Sequence, residues 1–523
     1  MKKRFKTKAW EQYEAGKEYK RKIGLYSTVR SNERFYRGDQ WYGSVSEDLP
    51  KPVFNIIRRI ADYLICSIAS SDISIRYTAE NLPFIERKTD ADNLKACING
   101  INRHAAYRWE KNGMQRKIYD ALTDAAISGD GIFFCYWDQA LSGTQEFTGD
   151  IATEVIDNVN LFVADVNVSD IQSQEYIILA GRKSASALRK EARDHGASED
   201  EISKIVPDDA DHSQSGDLSE FEINCDGSEK ATYIIKFWRE NGKVVFEKST
   251  RDCVIYRAST ECKLYPVAYF NWYPTKNSFH GTSPVTSLVP NQKYLNRAYS
   301  LAMKHMTDTA FSKVVYDKSR IPEWTNEVGE AIAAVGGGNI SDAVSVVGVG
   351  KMNEHYLELI NDTIVTTKDL MGATESALGD EKARNTSAIL ALQETSRIPL
   401  RQTRSAFYQC IEDLANIWID MMCAYYPPER LLVSSENGDT VAHSVDFALL
   451  KSAALCARVD VAETTPYSAA GAQSMLDKLL DLKYISPAEY LRRIPAGLVS
   501  DRESLIEALE ERELEKGEEI SYE

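Results

Sequence analysis

Residues 353–427 decide how this chain folds. They begin with the run NEHYLELINDTIVTTKDLMGATESAL at residues 353–378, in which core-type positions recur at spacings of three and four. That spacing is the period of an α-helix, and the positions that show it are Leu357, Ile360, Ile364, Thr367, Met371, Thr374 and Leu378. The sequence therefore predicts one helix over residues 353–378, which would be ~39 Å long because each residue adds about 1.5 Å.

A polar loop and a longer helix follow. Residues 379–387 read GDEKARNTS, and they interrupt the apolar period with a glycine, charged side chains and hydroxyls suited to capping a helix. The period resumes at Ile389 and continues to Tyr425, so a second helix is predicted over residues 388–427. We expect a kink at Pro399 because proline removes one backbone hydrogen bond and clashes with the preceding turn. Helices this long usually brace an extended assembly, although the spine of a helical bundle is the simpler alternative.

Length and composition narrow the class of protein. A chain of 523 residues is too long for one core and is expected to form about three domains. No apolar run approaches the ~20 residues that a membrane span needs, and the basic first residues are not followed by the apolar stretch of a signal peptide. We therefore expect a soluble chain with no export signal. The nine cysteines include no Cys-x-x-Cys pair, so neither a zinc site nor a disulfide framework is indicated.

Charge is distributed unevenly along the chain. The net charge is −16, yet residues 1–30 carry ten Lys or Arg against three Glu, and residues 501–523 carry ten Asp or Glu against three Lys or Arg. An acidic chain is a poor candidate for tight binding of nucleic acid, because affinity for phosphate comes mainly from Lys and Arg. It is compatible with a protein along which DNA slides.

The remaining pattern indicates an α+β fold that is mainly helical. Strands rich in Val and Ile are predicted within residues 132–182 and again within 233–270, separated by a polar surface insertion at about 194–230. Ser283 is predicted to cap a helix that starts at Pro284 and ends near Phe311. Residues 312–352 form a small separate module with two short strands and a helix over about 322–335, and the tail after residue 428 is predicted to be helical.

Catalytic and metal-binding motifs were sought and rejected. Residues 348–352 (GVGKM) lack the first glycine of a phosphate loop and have Met where the Mg²⁺-binding hydroxyl belongs. Residues 281–285 (GTSPV) are not a nucleophile elbow, because the final glycine is absent. The seven histidines never pair at the spacing of metal ligands. The sequence therefore predicts no enzyme, no metal site and no cofactor.

Two helical segments carry basic stripes. Lys293, Arg297 and Lys304 fall on one face of the helix after Pro284, and Arg397, Arg401 and Arg404 fall on one face of the helix after residue 388. The alternative is a solvated or salt-bridging face, since Glu394 is placed to pair with Arg397.

Four motifs in order resemble the portal proteins of tailed bacteriophages. Residues 33–41 (ERFYRGDQW) with 52–57 (PVFNII) are similar to the family's N-terminal signature, and 279–285 (FHGTSPV) with 290–297 (PNQKYLNR) to the start of its first stem helix. Residues 373–379 (ATESALG) with 386–388 (TSA) resemble the end of its second stem helix, its tunnel loop and the start of its long wing helix. The resemblance spans about residues 30–495.

The resemblance implies a portal-type fold with five parts. These are a wing (1–282 and the kinked helix 388–427), a stem (helices 283–311 and 353–378), a clip (312–352), a tunnel loop (379–387) and a crown with an acidic tail (428–523). The family forms a ring, dodecameric in the capsid, at one vertex. The insertion at 194–230 departs from the family pattern.

The resemblance also implies partners and site residues. Non-specific double-stranded DNA would pass through the ring during packaging and ejection, facing Lys382, Arg384, Lys293, Arg297 and Lys304. The clip, with Trp324, Glu323 and Glu327, would dock the terminase large subunit and later a head-completion or adaptor protein. Major capsid and scaffolding proteins would also be partners, and the protein would be found in the virion and, during assembly, in the host cytoplasm. A cytosolic oligomeric scaffolding protein with no DNA channel is the alternative, and a packaging nuclease or NTPase is disfavoured by the missing motifs.

Overall fold

The structure divides the chain into two units, each built from several segments. Unit 1 comprises Met1–Arg30, Leu64–Pro284 and Leu400–Glu523, and unit 2 comprises Ser31–Tyr63 and Val285–Pro399. Residues 31–63, which the resemblance assigns to the wing, thus group with the stem and clip segments. The computed structural model describes residues 7–43, 48–69, 72–80, 88–142, 148–208, 229–310, 313–324, 332–347, 355–373, 398–427, 430–436, 439–443, 445–453, 455–462, 466–482, 484–494, 505 and 509.

About half of the described residues are helical, and the rest of the regular structure is antiparallel sheet. The helices are α1 Lys8–Lys22, α2 Leu25–Arg37, α3 Ile56–Ala69, α4 Lys88–Lys111, α5 Met114–Ser128, α6 Ala185–Asp194, α7 Glu199–Ile202, α8 Pro284–Thr309, α9 His355–Leu370, α10 Arg401–Tyr425, α11 Phe447–Ser452, α12 Pro466–Asp481 and α13 Pro487–Arg493. The strands are β1 Asp72–Ala79, β2 Asp130–Ser142, β3 Thr148–Val155, β4 Leu161–Val163, β5 Tyr176–Ser184, β6 Lys230–Glu240, β7 Lys243–Ser249, β8 Val254–Ser259, β9 Val267–Asn271, β10 Lys313–Tyr316, β11 Val344–Val347, β12 Leu432–Glu436, β13 Asp439–His443 and β14 Leu455–Ala462. An α+β fold is therefore confirmed.

Unit 1 contains two larger sheets. One has the strand order β4-β5-β6-β7-β8 and the other β3-β2-β9, and every pairing is antiparallel. Strands β6 and β7 are joined by Asn241 and Gly242, which both have positive φ, as the tight hairpin turn between right-twisted strands requires. Ile132, Leu161, Ile177, Val267 and Phe279 belong to one buried cluster and are each less than 1% exposed.

Helix α10 forms the spine of unit 1. It packs against β9, β2 and β14, and buries Phe407 and Trp418. The Trp418 indole Nε1 donates to Thr153 Oγ1 at 3.0 Å, and the Thr403 hydroxyl donates to the Trp272 carbonyl at 2.9 Å. These two bonds fix the rotation of α10 because they tie side chains two-thirds of the helix apart to neighbouring strands.

The prediction of a helical tail is wrong in part. Residues 432–443 form the β12–β13 hairpin, and β14 pairs antiparallel with β1, from Asp72 opposite Ala462 to Ala79 opposite Leu455. A strand whose partner lies almost 400 residues away has no local signal beyond its own alternation. The predicted capping of the helix at Ser486 by Glu489 is present in α13, whereas the similar pattern at 500–503 lies outside the described residues.

The predicted polar insertion at 194–230 is also corrected. Ser198 and Glu201 form a reciprocal cap on the short helix α7, and Ile202 and Ile205 are buried against Leu188 and Ala192 of α6. Residues up to 208 therefore belong to the packed body of unit 1. Residues 209–228 lie outside the described part of the chain.

Two of the predicted long helices are shorter in the structure. Helix α9 ends at Leu370 instead of residue 378, because Gly372 adopts a left-handed φ of 72° and the Ala373 amide bonds back to the Lys368 carbonyl. Pro399 lies in a 3₁₀ turn, Ile398–Leu400, and α10 begins only after it. A proline cannot donate the backbone bond that would continue the helix through this point. Helices α1 and α2 are separate, since Gly24 between them has a φ of 71°.

Unit 2 is organised along α8. Helix α9 packs against it through Ile360, which contacts Leu295 and Ala298. The Tyr356 hydroxyl donates to the Ala298 carbonyl at 3.0 Å. The segment between the two helices contains the two-stranded sheet β10–β11, in which Lys313 lies opposite Val347 and Tyr316 opposite Val344. A helix was predicted over residues 322–335. In the structure residues 322–324 and 332–335 are irregular, and residues 325–331 lie outside the described part of the chain.

Candidate functional site

The basic stripe of α8 lies on the exposed side of the helix. Lys293 and Arg297 are exposed, and Lys304 is partly exposed. The Lys293 ammonium lies 5.4 Å from the centre of the Phe35 ring, and Lys304 Nζ is 3.9 Å from a carboxylate oxygen of Asp308. Within the described residues, Arg297 has neither a hydrogen-bond nor an ion-pair partner. The predicted stripe is therefore available, at least at Arg297, to an external anion.

The face of α8 that adjoins the stripe is buried and polar. Buried polar side chains follow each other there at intervals of four residues: Gln292, Asn296 and Ser300. The Gln292 amide donates to the Phe54 carbonyl at 2.8 Å and accepts from the Ile56 amide at 3.0 Å. We call these three residues the amide ladder.

The other two members of the amide ladder extend the same contact. Asn296 Nδ2 donates to Gln40 Oε1 at 2.7 Å, and the Ser300 hydroxyl donates to the Pro50 carbonyl at 2.6 Å. The irregular segment before α3 thus has its backbone groups satisfied by α8. Sequence reasoning missed this ladder, although polar residues at i, i+4 and i+8 beside a basic stripe were a detectable signal.

A buried carboxylate fixes the turn that leads into α8. Asp130 is fully buried at the start of β2 and accepts from His280 Nδ1 at 2.7 Å and from the Gly281 amide at 2.8 Å. Three further donors reach it: Asn158 Nδ2 at 3.0 Å, Asn271 Nδ2 at 2.9 Å and the Tyr269 hydroxyl at 3.1 Å. Burial by itself would raise the pKa of Asp130, but His280 and these hydrogen bonds hold it below its usual range.

The Asp130 and His280 pair does not form a catalytic site. Both side chains are buried, with His280 only 6% exposed, and all the donors around Asp130 stabilise its charge instead of leaving it free as a base. The predicted cap Ser283 donates its hydroxyl to the Ala126 carbonyl at 2.5 Å, which ties the start of α8 to the end of α5. Among the described residues, no group of three His, Cys, Asp or Glu is arranged to hold a metal ion.

The predicted docking residues of the clip are only partly described. Trp324 is half-buried and stacks on Tyr316 of β10, with 5.4 Å between ring centres. Glu323 beside it is exposed, and Glu327 lies outside the described residues. The stacking shows that Trp324 packs within its own module, which was the alternative to a docking role. Its uncovered part still faces solvent next to Glu323.

The structure describes only part of the second basic stripe and none of the predicted loop cations. Arg401 is exposed at the start of α10, whereas Arg404 donates to the Ser67 carbonyl at 2.8 Å and is half-buried. Arg404 therefore serves the packing of unit 1. Arg397, Lys382 and Arg384 lie outside the described residues.

None of the helices in the described ranges is long and apolar enough to cross a bilayer.

Residues 239–433 match the family model of the phage P22-like portal proteins. The matched span is a little over a third of the chain and runs from the end of β6 to the start of the β12–β13 hairpin, so it includes α8, the clip segment, α9 and α10. It contains the motifs at 279–297 and 373–388, whereas the motif at 33–57 lies outside it. No curated protein matches the chain. The resemblance to phage portal proteins is thereby confirmed.

Proposed function

We propose that this chain, which the match over residues 239–433 assigns to the phage portal protein family, is one subunit of a ring-shaped channel at a single vertex of the capsid. In this proposal DNA enters the head through the ring during packaging and leaves through it during ejection. The protein has a structural role in the virion and not an enzymatic one. The observation that carries the proposal is the match itself, because it covers both helices of unit 2 and the module between them.

The surfaces of α8 and α9 support assembly into a ring. Seven large apolar side chains of these two helices are 42–72% exposed: Tyr294, Leu301, Met306, Leu357, Leu359, Val365 and Leu370. Isolated soluble proteins rarely leave so much apolar side chain uncovered on one pair of helices. Neighbouring copies in a ring would cover these faces, since cyclic assemblies repeat one such contact around an axis.

The electrostatics of α8 support passage of DNA without tight binding. Lys293, Arg297 and Lys304 would contribute phosphate contacts that carry no sequence information and weaken with salt. The chain as a whole is acidic, with a net charge of −16, so such contacts would be few and weak. Lys382 and Arg384 of the predicted tunnel loop would act in the same way.

Negative-stain electron microscopy of the purified full-length protein tests the proposal. We expect a ring with a central hole, of twelve subunits in the capsid. Hydrogen exchange of residues 285–309 and 355–370 should be slow in the ring and fast in monomer at low protein concentration, because subunit contacts cover these helices. A monodisperse small particle, or equal exchange in both states, would contradict the proposal and favour the cytosolic scaffolding alternative.

A further inference from the structure

A second feature of unit 1 takes no part in the proposed channel. It is a cavity of about 450 Å³ between the β3-β2-β9 sheet and the β4–β8 sheet. Eight of its nineteen lining residues are aromatic, and these come from four strands and the last turn of α10. A volume of this size and lining falls in the range of sites that hold small organic molecules. We call it the aromatic cavity.

The rings of the aromatic cavity hold each other in place. Phe237 lies 5.9 Å from Phe246, which meets Tyr256 edge-on at 5.4 Å between ring centres. On the opposite wall Trp137 stacks on Tyr425 at 5.2 Å. Because the rings are braced by one another, the space between the walls is part of the fold, and a flat apolar body would find ring faces and edges on both sides.

One end of the aromatic cavity carries a buried ammonium. Lys248 lines the cavity and is only 8% exposed. Its Nζ donates to Glu191 Oε1 at 2.6 Å and lies 4.7 Å from the centre of the Tyr233 ring. An ammonium has three N–H donors, and within the described residues only the bond to Glu191 uses one of them. Lys248 therefore has donors left for a molecule in the cavity.

A second ammonium group lies at this end of the cavity. Lys183 also lines the cavity, and its Nζ lies 3.4 Å from the second oxygen of the same Glu191. Two ammonium groups thus share one carboxylate, which is not itself part of the lining. The carboxylate of the lining, Glu154, accepts the Tyr136 hydroxyl at 2.6 Å.

The lining also contains phenol hydroxyls. The Tyr233 and Tyr256 hydroxyls form no hydrogen bond within the described part of the chain, and burial raises the pKa of both, so they stay protonated. A carboxylate can accept from an ammonium and from phenol hydroxyls together, and such charge-assisted bonds are the stronger ones.

We propose that the aromatic cavity binds a small carboxylic acid with a flat apolar body, its carboxylate bonded to Lys248 and its body between the two aromatic walls. A neutral molecule of the same shape would leave the spare donors of Lys248 unpaired. A cationic one would offer those donors no acceptor. The proposal is independent of the channel, since no residue of the cavity belongs to unit 2.

Isothermal titration of the full-length protein with 1-naphthoate tests this inference, with 1-naphthamide as the matched neutral probe. We expect a Kd of about 0.1 mM or tighter for the acid, and binding at least ~10-fold weaker for the amide because it lacks the charge that Lys248 pairs with. Absence of binding by the acid at millimolar concentration would overturn the proposal. Equal affinity for acid and amide would also overturn it, by showing apolar binding only.

Substitutions of lysines test whether binding of the acid depends on the Lys248 ammonium in particular or only on the positive charge of the surface. K248M is expected to weaken naphthoate binding at least ~10-fold and to leave naphthamide unchanged, while K248R retains most of the affinity. The matched control is K236M on β6, because Lys236 lies over the Tyr176 and Trp238 rings and is not part of the lining. If K248M fails to fold, the acid and amide comparison on the unchanged protein decides. Full affinity in a folded K248M protein would refute the assignment.

Discussion

Asp130 is the residue on which the local structure before α8 depends most. Its carboxylate receives donors from four other places in the chain, at residues 158, 269, 271 and 280–281. The approach is close enough that a Cβ on Gly129 would lie 2.7 Å from the Gly281 carbonyl oxygen. Glycine is therefore required at residue 129, where φ is also 99°.

Replacing Asp130 by Asn should destabilise unit 1 strongly. The amide keeps the size of the side chain but presents N–H groups where donors already converge, and it takes an acceptor oxygen away from His280 Nδ1 or from the Gly281 amide. Loss of the partner of a buried donor costs about 1–3 kcal/mol, and more where the lost group is charged. Thermal unfolding of D130N is expected at clearly lower temperature than the unchanged protein. D120N on the exposed side of α5 is the matched control and should unfold like the unchanged protein.

The buried Lys20 predicts that folding stability depends on pH. It is buried, and its Nζ donates to the carbonyls of Asn158, Val159 and Leu161 at 2.5–3.1 Å. Burial lowers the pKa of Lys20 to about 7, although the charges of Asp130 and Asp157 oppose this. The unfolded chain, in which a lysine titrates near 10.4, therefore binds more protons than the folded one between pH 7 and 10, and folding stability gains about 1.4 kcal/mol per pH unit there.

The measurement compares the unfolding temperature of the unchanged protein with that of K20M at pH 7, 8 and 9. Because Met does not titrate, the unchanged protein should gain stability relative to K20M as pH rises. K22M, at an exposed position of the same helix, should follow the unchanged protein at every pH. A difference that is flat with pH would show that Lys20 does not titrate near neutrality.

At the scale of elements, one face of α8 holds an irregular segment of the chain in place. The amide ladder satisfies backbone groups of residues 50–56, while the exposed face beside it carries the basic stripe. The sequence predicted the start of this helix at Pro284 and the exposure of Lys293 and Arg297, because a 3.6-residue period places them on one side. It could not predict the ladder, because the partners of Gln292 and Asn296 are loop groups more than 200 residues away.

Q292M tests the amide ladder. Methionine fills the same space but leaves the Phe54 carbonyl and the Ile56 amide without their bonds, which should cost about 2 kcal/mol. Hydrogen exchange should become faster in residues 50–57 and in the middle of α8. Q409M on the exposed side of α10 is the matched control, with no change expected in those peptides. Unchanged exchange in Q292M would show that the ladder is not needed to order this segment.

Substitutions of Trp324 can distinguish its packing inside the clip from a role in docking a partner. Since Trp324 stacks on Tyr316, W324F should preserve the module by keeping an aromatic ring, whereas W324A removes both the stack and the exposed anchor. If the clip docks the packaging motor, W324A should weaken binding of the terminase large subunit at least ~10-fold, which is the loss typical of an interface anchor. Rings of W324A should still form. Unchanged terminase binding to such rings would contradict the docking role.

Helices and strands were predicted correctly where the sequence pattern is local. They were predicted wrongly where a turn, or a residue far away in the sequence, determines the structure. Helix α8 and strands β2, β10 and β11 were found from their periods and flanking residues. Helix α9 was predicted too long because the left-handed Gly372 was read as part of an apolar run. The aromatic cavity had no signal, because its walls come from strands that are far apart in sequence and meet only when the two sheets pack.

At the scale of the whole molecule, the acidic net charge and the cations of α8 and the predicted tunnel loop would together set how strongly the channel attracts DNA. A ring of twelve copies would present Arg297 twelve times against a chain that is otherwise negative, which favours contact without retention. The predicted tunnel loop adds Lys382 and Arg384, with Asp380 and Glu381 beside them to reduce the attraction. This arrangement predicts that removing the loop cations affects DNA movement and not assembly.

The double substitution K382A/R384A should therefore give intact rings and procapsids that contain less DNA or lose it after packaging. The physical reason is the loss of two phosphate contacts per subunit, and the same loss should reduce the dependence of DNA retention on salt, because fewer counterions are exchanged. DNA content and leakage of purified heads at two salt concentrations are the measurements. K276A/R116A, which removes two exposed cations of unit 1, is the matched control for net charge and should package and retain DNA normally. If K382A/R384A heads fill and hold DNA as well as these controls at both salt concentrations, the loop is a solvated turn with no role in the channel.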